Sequence, residues 1–259
     1  MKREIEFLPI QTFVFDTPDE AMETVAREFA NWIRTLRFRR EDAILAFDSG
    51  RLMENFYDKV TGMSGIEEKG GLPLSGVRSF QVMEVAGRAS DAEGSVRFEH
   101  QSKLFERWKV PGDQQHFPEG AALASDPTGT CDAYEEDFLQ KGPPNLSLIG
   151  LGANGRIGIN EAGSEFDCRT RCAELGDDSL AELSAAHDGL SFANPVAGVG
   201  LATLRASQRI RIFAFGADKA AAVEDGMLPD FEAPYPLSAF AGHKDVQLLL
   251  DNAAADRLE

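Results

Sequence analysis

"SLIGLGANGRIGINEAGS", residues 147–164, decides how the rest of the chain is read. An apolar run ends in a glycine-rich turn, and Asn154, Arg156, Asn160 and Glu161 follow in quick succession. A continuously apolar strand is buried on both faces, as in parallel sheets. A polar turn directly after it stands at the carboxyl edge, where α/β sheets bind ligands. Gly150, Gly152 and Gly155 also spell G-x-G-x-x-G. A dinucleotide site needs a helix opening at that turn, then a second strand ending in an acidic residue about 20 positions on. "RIGINEAGSEFD" is a poor helix, with Gly158 and Gly163 inside it. Asp177 and Asp178 follow "CAELG" rather than a strand pattern. The nicotinamide reading is therefore set aside.

Outward from the turn, strand and helix patterns alternate. "TFVF" (12–15) reads as a strand; Thr17 then caps a helix, with Pro18 at its first position and Glu20 closing a capping box. Met22, Val25, Phe29, Trp32, Ile33 and Leu36 recur at helical spacing. "DAILAFD" (42–48) is a buried strand, and "SGRLMENFYDKVTG" turns into a second helix. "RSFQVMEV" (78–85) reads as one strand, 95–108 as a helix, and 109–130 as loop. "CDAYEEDFLQKG" is helical, 145–152 is the central strand, and 163–195 is polar and weakly patterned, compatible with a mobile flap. "RIRIFAFG" (209–216), "ADKAAAVEDGM" and "DVQLLLD" (245–251) close the chain as strand, helix and strand. The pattern predicts a single α/β domain over 1–259: a doubly wound, mostly parallel sheet with helices on both faces.

Composition narrows the partners. Of 259 residues 43% are hydrophobic, enough for a sizeable core and too many for a disordered chain. The formal net charge of −17 repels nucleic acid and anionic membranes, and both are excluded as partners. A phosphorylated ligand needs a local positive pocket. "MKREIEFLPIQTF" has no signal-peptide pattern, and no run approaches the roughly 20 apolar residues of a membrane span, so the expected location is cytoplasmic. Cys131, Cys168 and Cys172 read as reduced thiols, and the four scattered histidines show no metal-ligand spacing. No metal and no cofactor are expected. The partner is a small sugar or sugar phosphate, with homo-oligomerisation left open.

Read with its flanks, the turn resembles the glucosamine-6-phosphate deaminase/isomerase family, which shares its fold with the 6-phosphogluconolactonases. That family's turn runs Gly-x-Gly-x-Asp/Asn-Gly-His-Ile-x-Phe-Asn-Glu-Pro; here it stands as Gly150, Gly152, Asn154, Gly155, Arg156, Ile157, Ile159, Asn160, Glu161, Ala162. The Asn-Glu pair points to the aminosugar branch. "CRTR" (168–171), "CDAYEEDF", "FGADKAAAV" and "PLSAFAGHKDVQLLLD" resemble further family segments, so the likeness runs from about residue 5 to 255.

The resemblance implies ring opening and isomerisation of a phosphorylated aminosugar, assisted by a histidine and by an aspartate that moves a proton between adjacent carbons. Arg156 stands at that histidine and Met83 at that aspartate. Guanidinium does not release its proton in proteins, and a thioether is no base. The remaining proton-transfer candidates are Glu84 and Glu161. Substrate-binding candidates are Ser49, Gly50 and Arg51 after the second strand, Asn154 and Arg156 in the turn, and Lys219, which matches a family phosphate contact. These two loops are expected to converge at one sheet edge. Each candidate has a plainer reading: Arg156 paired with Glu161, Arg51 paired with Asp48, Glu84 purely structural. The function implied is an aminosugar-phosphate isomerase/deaminase-like protein with altered or reduced activity. The alternatives are a non-catalytic sugar or sugar-acid binder and a 6-phosphogluconolactonase-like hydrolase.

Overall fold

The apolar run before the glycine-rich turn lies in the interior of an eight-stranded sheet. The computed structural model describes residues 2–64, 72–188, 190–227 and 235–258. In chain order the strands are β1 (Arg3–Ile5), β2 (Gln11–Phe15), β3 (Ala43–Phe47), β4 (Val77–Gln81), β5 (Met83–Val85), β6 (Gln115–His116), β7 (Leu146–Gly150), β8 (Arg171–Ala173), β9 (Val196–Gly198), β10 (Ile210–Ala214) and β11 (Val246–Asp251). The helices are α1 (Pro18–Arg39), α2 (Arg51–Ser64), α3 (Val96–His100), α4 (Glu106–Trp108), α5 (Gly120–Leu123), α6 (Pro127–Lys141), α7 (Asp177–Ala186), α8 (Leu201–Arg205) and α9 (Ala220–Met227). The large sheet runs β1-β2-β11-β10-β7-β3-β4-β6 and is parallel except where β1 meets β2. β5, β9 and β8 form a second, antiparallel sheet.

Both faces of the large sheet are buried, with the alternation that a strand imposes. Leu45, Phe47, Leu148, Phe213 and Leu249 pack with α1 and α2 and with Trp108. Ala46, Ile149, Ile212, Leu248 and Leu250 pack on the other side with α6, α8 and α9. The cap of α1 is as expected: the Thr17 hydroxyl accepts from the Glu20 amide at 3.2 Å. No helix among the described residues is long and apolar enough to cross a membrane.

Several local readings need correction. "RSFQVMEV" is two strands, not one. β4 stays in the large sheet, while β5 pairs antiparallel with β9 in the small one. Val82 joins them, its amide donating to the Phe47 carbonyl and its own carbonyl accepting from Val199. A run of eight residues without Gly or Pro carries no mark of a change of partner. The 95–108 helix is α3 and α4 joined by a π-helical turn, Gln101–Phe105. The 109–130 loop contains β6 and α5, and the 163–195 segment contains β8 and α7. β1, β6, β8 and β9 were not legible, being strands of two or three residues.

The topology sets where a ligand can sit. From β3 the sheet grows outward through β4 to β6, and from β7 the other way through β10 to β11. β3 and β7 are neighbours, so the chain leaves their carboxyl ends in opposite directions. That is the switch point at which open α/β sheets form a binding crevice.

Candidate active site

Two turns meet at this switch point. Asp48, Ser49 and Gly50 link β3 to α2, and residues 150–156 follow β7. Asp48 ties them together: its carboxylate accepts from the Ser49 amide at 3.0 Å and the Gly150 amide at 3.1 Å. Burial raises its pKa, against the lowering effects of the Gly150 amide and Arg156. Behind it, the Asp48 carbonyl accepts from Tyr57 Oη at 3.0 Å, and His100 Nε2 lies 3.3 Å away. His100 is fully enclosed, and burial pushes its pKa down to about 4.

Between the turns lies a cavity of about 230 Å³, lined by Asp48, Ser49, Arg156, Glu182, His187 and Lys219 among the polar groups. Leu52, Leu183, Phe213 and Phe215 supply an apolar wall. A larger depression of about 670 Å³ involves Ser207, Gln208 and Gly242–Lys244, which precede β10 and β11. It therefore stands at the amino ends of these strands, the wrong edge for a parallel-sheet ligand site.

α7 covers the cavity and is attached at three levels. At its start, Glu161 accepts from the Gly176 amide at 3.2 Å and from the Ser179 hydroxyl. A carboxylate at a helix N-terminus satisfies amides that have no acceptor within the helix. Asn154 donates to the same Ser179 oxygen at 2.7 Å. In the middle, Glu182 pairs with Lys219, lies 3.6 Å from Arg156 Nη2 and accepts from the Ala153 amide at 3.0 Å. A Cβ on Gly152 would stand 2.7 Å from the Glu182 carboxylate, so only glycine permits this approach. At its end, Arg51 donates to the Ala185 carbonyl, and His187 follows directly.

His187 forms the one continuous proton path at the site among the described residues. Its Nε2 is 3.2 Å from Ser49 Oγ, and its Nδ1 meets the Glu99 carboxylate. The Glu99 carboxylate also accepts from the Gly50 amide at 3.1 Å. Burial works against the charged form of Glu99, but hydrogen bonding and charge from His187 outweigh it and hold its pKa below the ordinary value. An ionised carboxylate only accepts, so a proton sits on Nδ1; in the neutral ring, Nε2 then faces Ser49 as an acceptor. Phe192 packs on the ring at 4.9 Å and fixes its plane.

The sequence candidates divide by placement. Ser49, Arg156 and Lys219 line the cavity, and Gly50 adjoins it through Glu99 and the His187 ring. Asn154 and Glu161 spend their polar groups anchoring α7. Arg156 does not pair with Glu161; its partners are Glu182 and the Gly158 carbonyl. Arg51 does not pair with Asp48 but reaches Ala185. Glu84 is completely buried and absent from the cavity lining. It accepts from the Val85, Val96 and Arg97 amides, the Ser95 hydroxyl and the Gln81 amide group, all at 2.8–3.0 Å. Those donors hold the start of α3, so Glu84 acts as an anchor with no capacity left for a substrate proton. Met83 is likewise buried, as a packing residue of β5. Glu99, Glu182 and His187 had no signal in the local sequence pattern. No helix opens at the glycine-rich turn; Ile157 instead bridges back to Leu151 and on to Asn160.

Comparison with known proteins follows these features. No family model matches the chain. The glucosamine-6-phosphate deaminase of Lacticaseibacillus paracasei is 34% identical over 188 residues, covering 71% of this chain and 77% of that protein. That of Shewanella loihica is 28% identical over 235 residues, covering 90% and 86%. Among solved structures, a monomeric glucosamine-6-phosphate deaminase superposes with a TM-score of 0.83 at 26% identity, covering 95% of this chain and 99% of that one. A 6-phosphogluconolactonase from Trypanosoma brucei gives 0.74 at 18% identity, covering 96% and 98%, a likeness of fold alone. On its sequence and on its mostly parallel sheet, the chain belongs to the glucosamine-6-phosphate deaminase family.

Proposed function

We propose that this chain is a cytoplasmic enzyme that isomerises or deaminates a phosphorylated aminosugar in the cavity between β3 and β7, with His187 carrying the proton. The substrate class follows from the family. The observation that carries the catalytic reading is the chain Ser49–His187–Glu99, which opens on the cavity wall. Arg156 and Met83 occupy the positions where proton-transfer groups were expected, so the work falls to another ionisable group at the same edge. His187 has an ionised partner on one nitrogen and a free lone pair on the other, the arrangement a general base requires. Asp48, whose raised pKa makes it a proton carrier nearer neutral pH, is the second titratable group on the wall. Arg156 and Lys219 supply the positive charge for the phosphate. The test is release of ammonia and formation of ketose from glucosamine-6-phosphate and galactosamine-6-phosphate. Turnover that disappears in His187→Gln supports the assignment; turnover that persists in that variant overturns it.

A second reading has its own observation. Glu182 already neutralises Lys219 and approaches Arg156, so the positive pocket is filled from within. This favours a binding protein for an uncharged sugar. Thermal-shift titration separates the two: stabilisation by glucose but not by glucosamine-6-phosphate selects the binder.

A further inference from the structure

The link between β3 and α2 has a feature that proton transfer on a sugar does not need. Ser49 stands in the middle of the three-residue link between a central parallel strand and a 14-residue helix, at the carboxyl edge of the sheet. A strand–nucleophile–helix corner of this kind lifts a hydroxyl clear of the sheet and aims it at the open edge. Gly50 follows with φ +81°, and a Cβ there would come within 2.9 Å of the Ala186 carbonyl and 3.3 Å of His187 Nε2. Only glycine lets the imidazole close on the serine. The hydroxyl, the imidazole and the Glu99 carboxylate then stand in the order nucleophile, base and orienting acid.

We propose that Ser49 is a nucleophile and that the protein hydrolyses short-chain O-acyl esters of small polyols. The inference rests on the reading of this cavity as the ligand site and of His187 as its base. Ser49 Oγ forms a bond to the acyl carbon while its proton passes to His187 Nε2. Collapse of the tetrahedral adduct breaks the bond from carbon to the alcohol oxygen, and the departing alcohol takes that proton from His187. Water then attacks the acyl-serine in the same way, releases the carboxylic acid and restores the hydroxyl. The amides of Arg51 and Leu52 open α2 and have no acceptor within the helix, so they are the donors at that helix start available to an oxyanion. The Gly50 amide is spent on Glu99, leaving these two as the donors at the helix start. The apolar wall of Leu52, Leu183, Phe213 and Phe215 suits a short acyl chain, and about 230 Å³ excludes a long one. The polar lining residues Arg156, Glu182 and Lys219 suit the hydroxyls of the alcohol.

The test uses the whole chain with p-nitrophenyl acetate and a fluorophosphonate probe. The expected result is a burst of p-nitrophenol close to one per chain, with acetyl and phosphonyl adducts mapped to Ser49 in acid-quenched peptides. Ser49→Ala abolishes burst and adducts, while Ser49→Cys retains acylation through its thiol. His187→Gln slows adduct formation by about 10²- to 10⁴-fold, the usual worth of a positioned base. Near-UV circular dichroism of each variant establishes that it is folded. Ester hydrolysis that survives in Ser49→Ala overturns the proposal, as does a folded wild-type chain whose adducts lie elsewhere or do not form. Ammonia release from glucosamine-6-phosphate, measured on the same preparations, keeps the two readings apart. Ser49 adducts without ammonia release overturn the isomerase reading alone, and ammonia release without Ser49 adducts overturns the nucleophile alone.

Discussion

The turn after β7 and the turn after β3 meet at one sheet edge and share a cavity, yet they spend their polar groups in opposite ways. After β7, Asn154 and Glu161 anchor α7, and Arg156 is held by the Gly158 carbonyl and near Glu182. Asn154 and Glu161 are thus occupied by the protein itself, while the buried Nε of Arg156 has no hydrogen-bond partner among the described residues. After β3, Ser49 keeps its hydroxyl on the cavity wall in contact with His187 and, through it, Glu99, while Asp48 and Arg51 tie the turn to Gly150 and to the end of α7. On the proposed reading, chemistry passes from one strand end to its neighbour within one family fold while the crevice stays in place. Fold restricts where a site can be, and the side chains at that place decide what it does.

The sharpest way to break this comparison is His187→Gln. It keeps the size and a hydrogen-bonding end but cannot cycle a proton. A drop in turnover of about 10²- to 10⁴-fold, roughly 3–5 kcal/mol of barrier, is expected with little change in KM. Steady-state kinetics on the aminosugar phosphate checks it. If instead Arg156→Gln has the larger effect on kcat, the glycine-rich turn is the working side and the comparison fails.

The β3 corner should also be the acid-sensitive side. His100 is buried and neutral behind Asp48, with its pKa lowered to about 4, below the ordinary 6.5. The unfolded chain therefore binds the proton first as pH falls. Stability is full above about 6.5 and is lost progressively down to about 4, by roughly 3 kcal/mol. Glu99, also lowered, gives way at still lower pH in the same direction. Asp48 works the other way, because its raised pKa favours the protonated folded form. Urea midpoints at pH 7.5, 5.5 and 4.5 measure the slope, and replacing His100 with Gln should flatten it. A slope unchanged in that variant would place the acid-labile group elsewhere.

Glu84 sharpens the same contrast by standing outside both turns. Glu84→Gln turns an acceptor of five bonds into a group with only one acceptor oxygen. A loss of about 2–3 kcal/mol in stability is expected. Any fall in turnover should track the fraction folded, which denaturant titration beside kinetics will show. A kcat that collapses in a fully folded Glu84→Gln would restore it as a catalytic group.

How far the sequence could be read follows from how local each signal is. The large strands and long helices carry their period within a few residues, and the turns after β3, β7 and β10 follow strands directly, so Ser49, Arg156 and Lys219 could be placed near an edge. Short strands such as β6 and β9 carry no period at all. The site's other half is beyond any local pattern: His187 lies 138 positions from Ser49, in a segment of weak periodicity, and Glu99 projects from α3. Glu84 misled for the same reason in reverse. The carboxylate was visible, while three of the five donors that occupy it, from Ser95, Val96 and Arg97, come from the start of α3.

The finest adjustment is Glu182→Gln. Glu182 is the residue through which α7 fills the positive pocket of the β7 turn, pairing with Lys219 and approaching Arg156. The pair is only partly exposed, yet an internal carboxylate must still be displaced before an external anion can take its cations. Removing its charge while keeping an acceptor for the Ala153 amide should tighten binding of glucosamine-6-phosphate by about tenfold, or about 1.4 kcal/mol. Glucose, which carries no charge, should bind as before, since the change acts on charge alone. Isothermal titration of both ligands against wild type and variant reads the difference. Equal gains for both would mean that α7 opened rather than that the cations were freed. No gain for either would mean that the phosphate is not held by Lys219 and Arg156, and the β7 turn would then be structural throughout, with the whole of the chemistry on the β3 side.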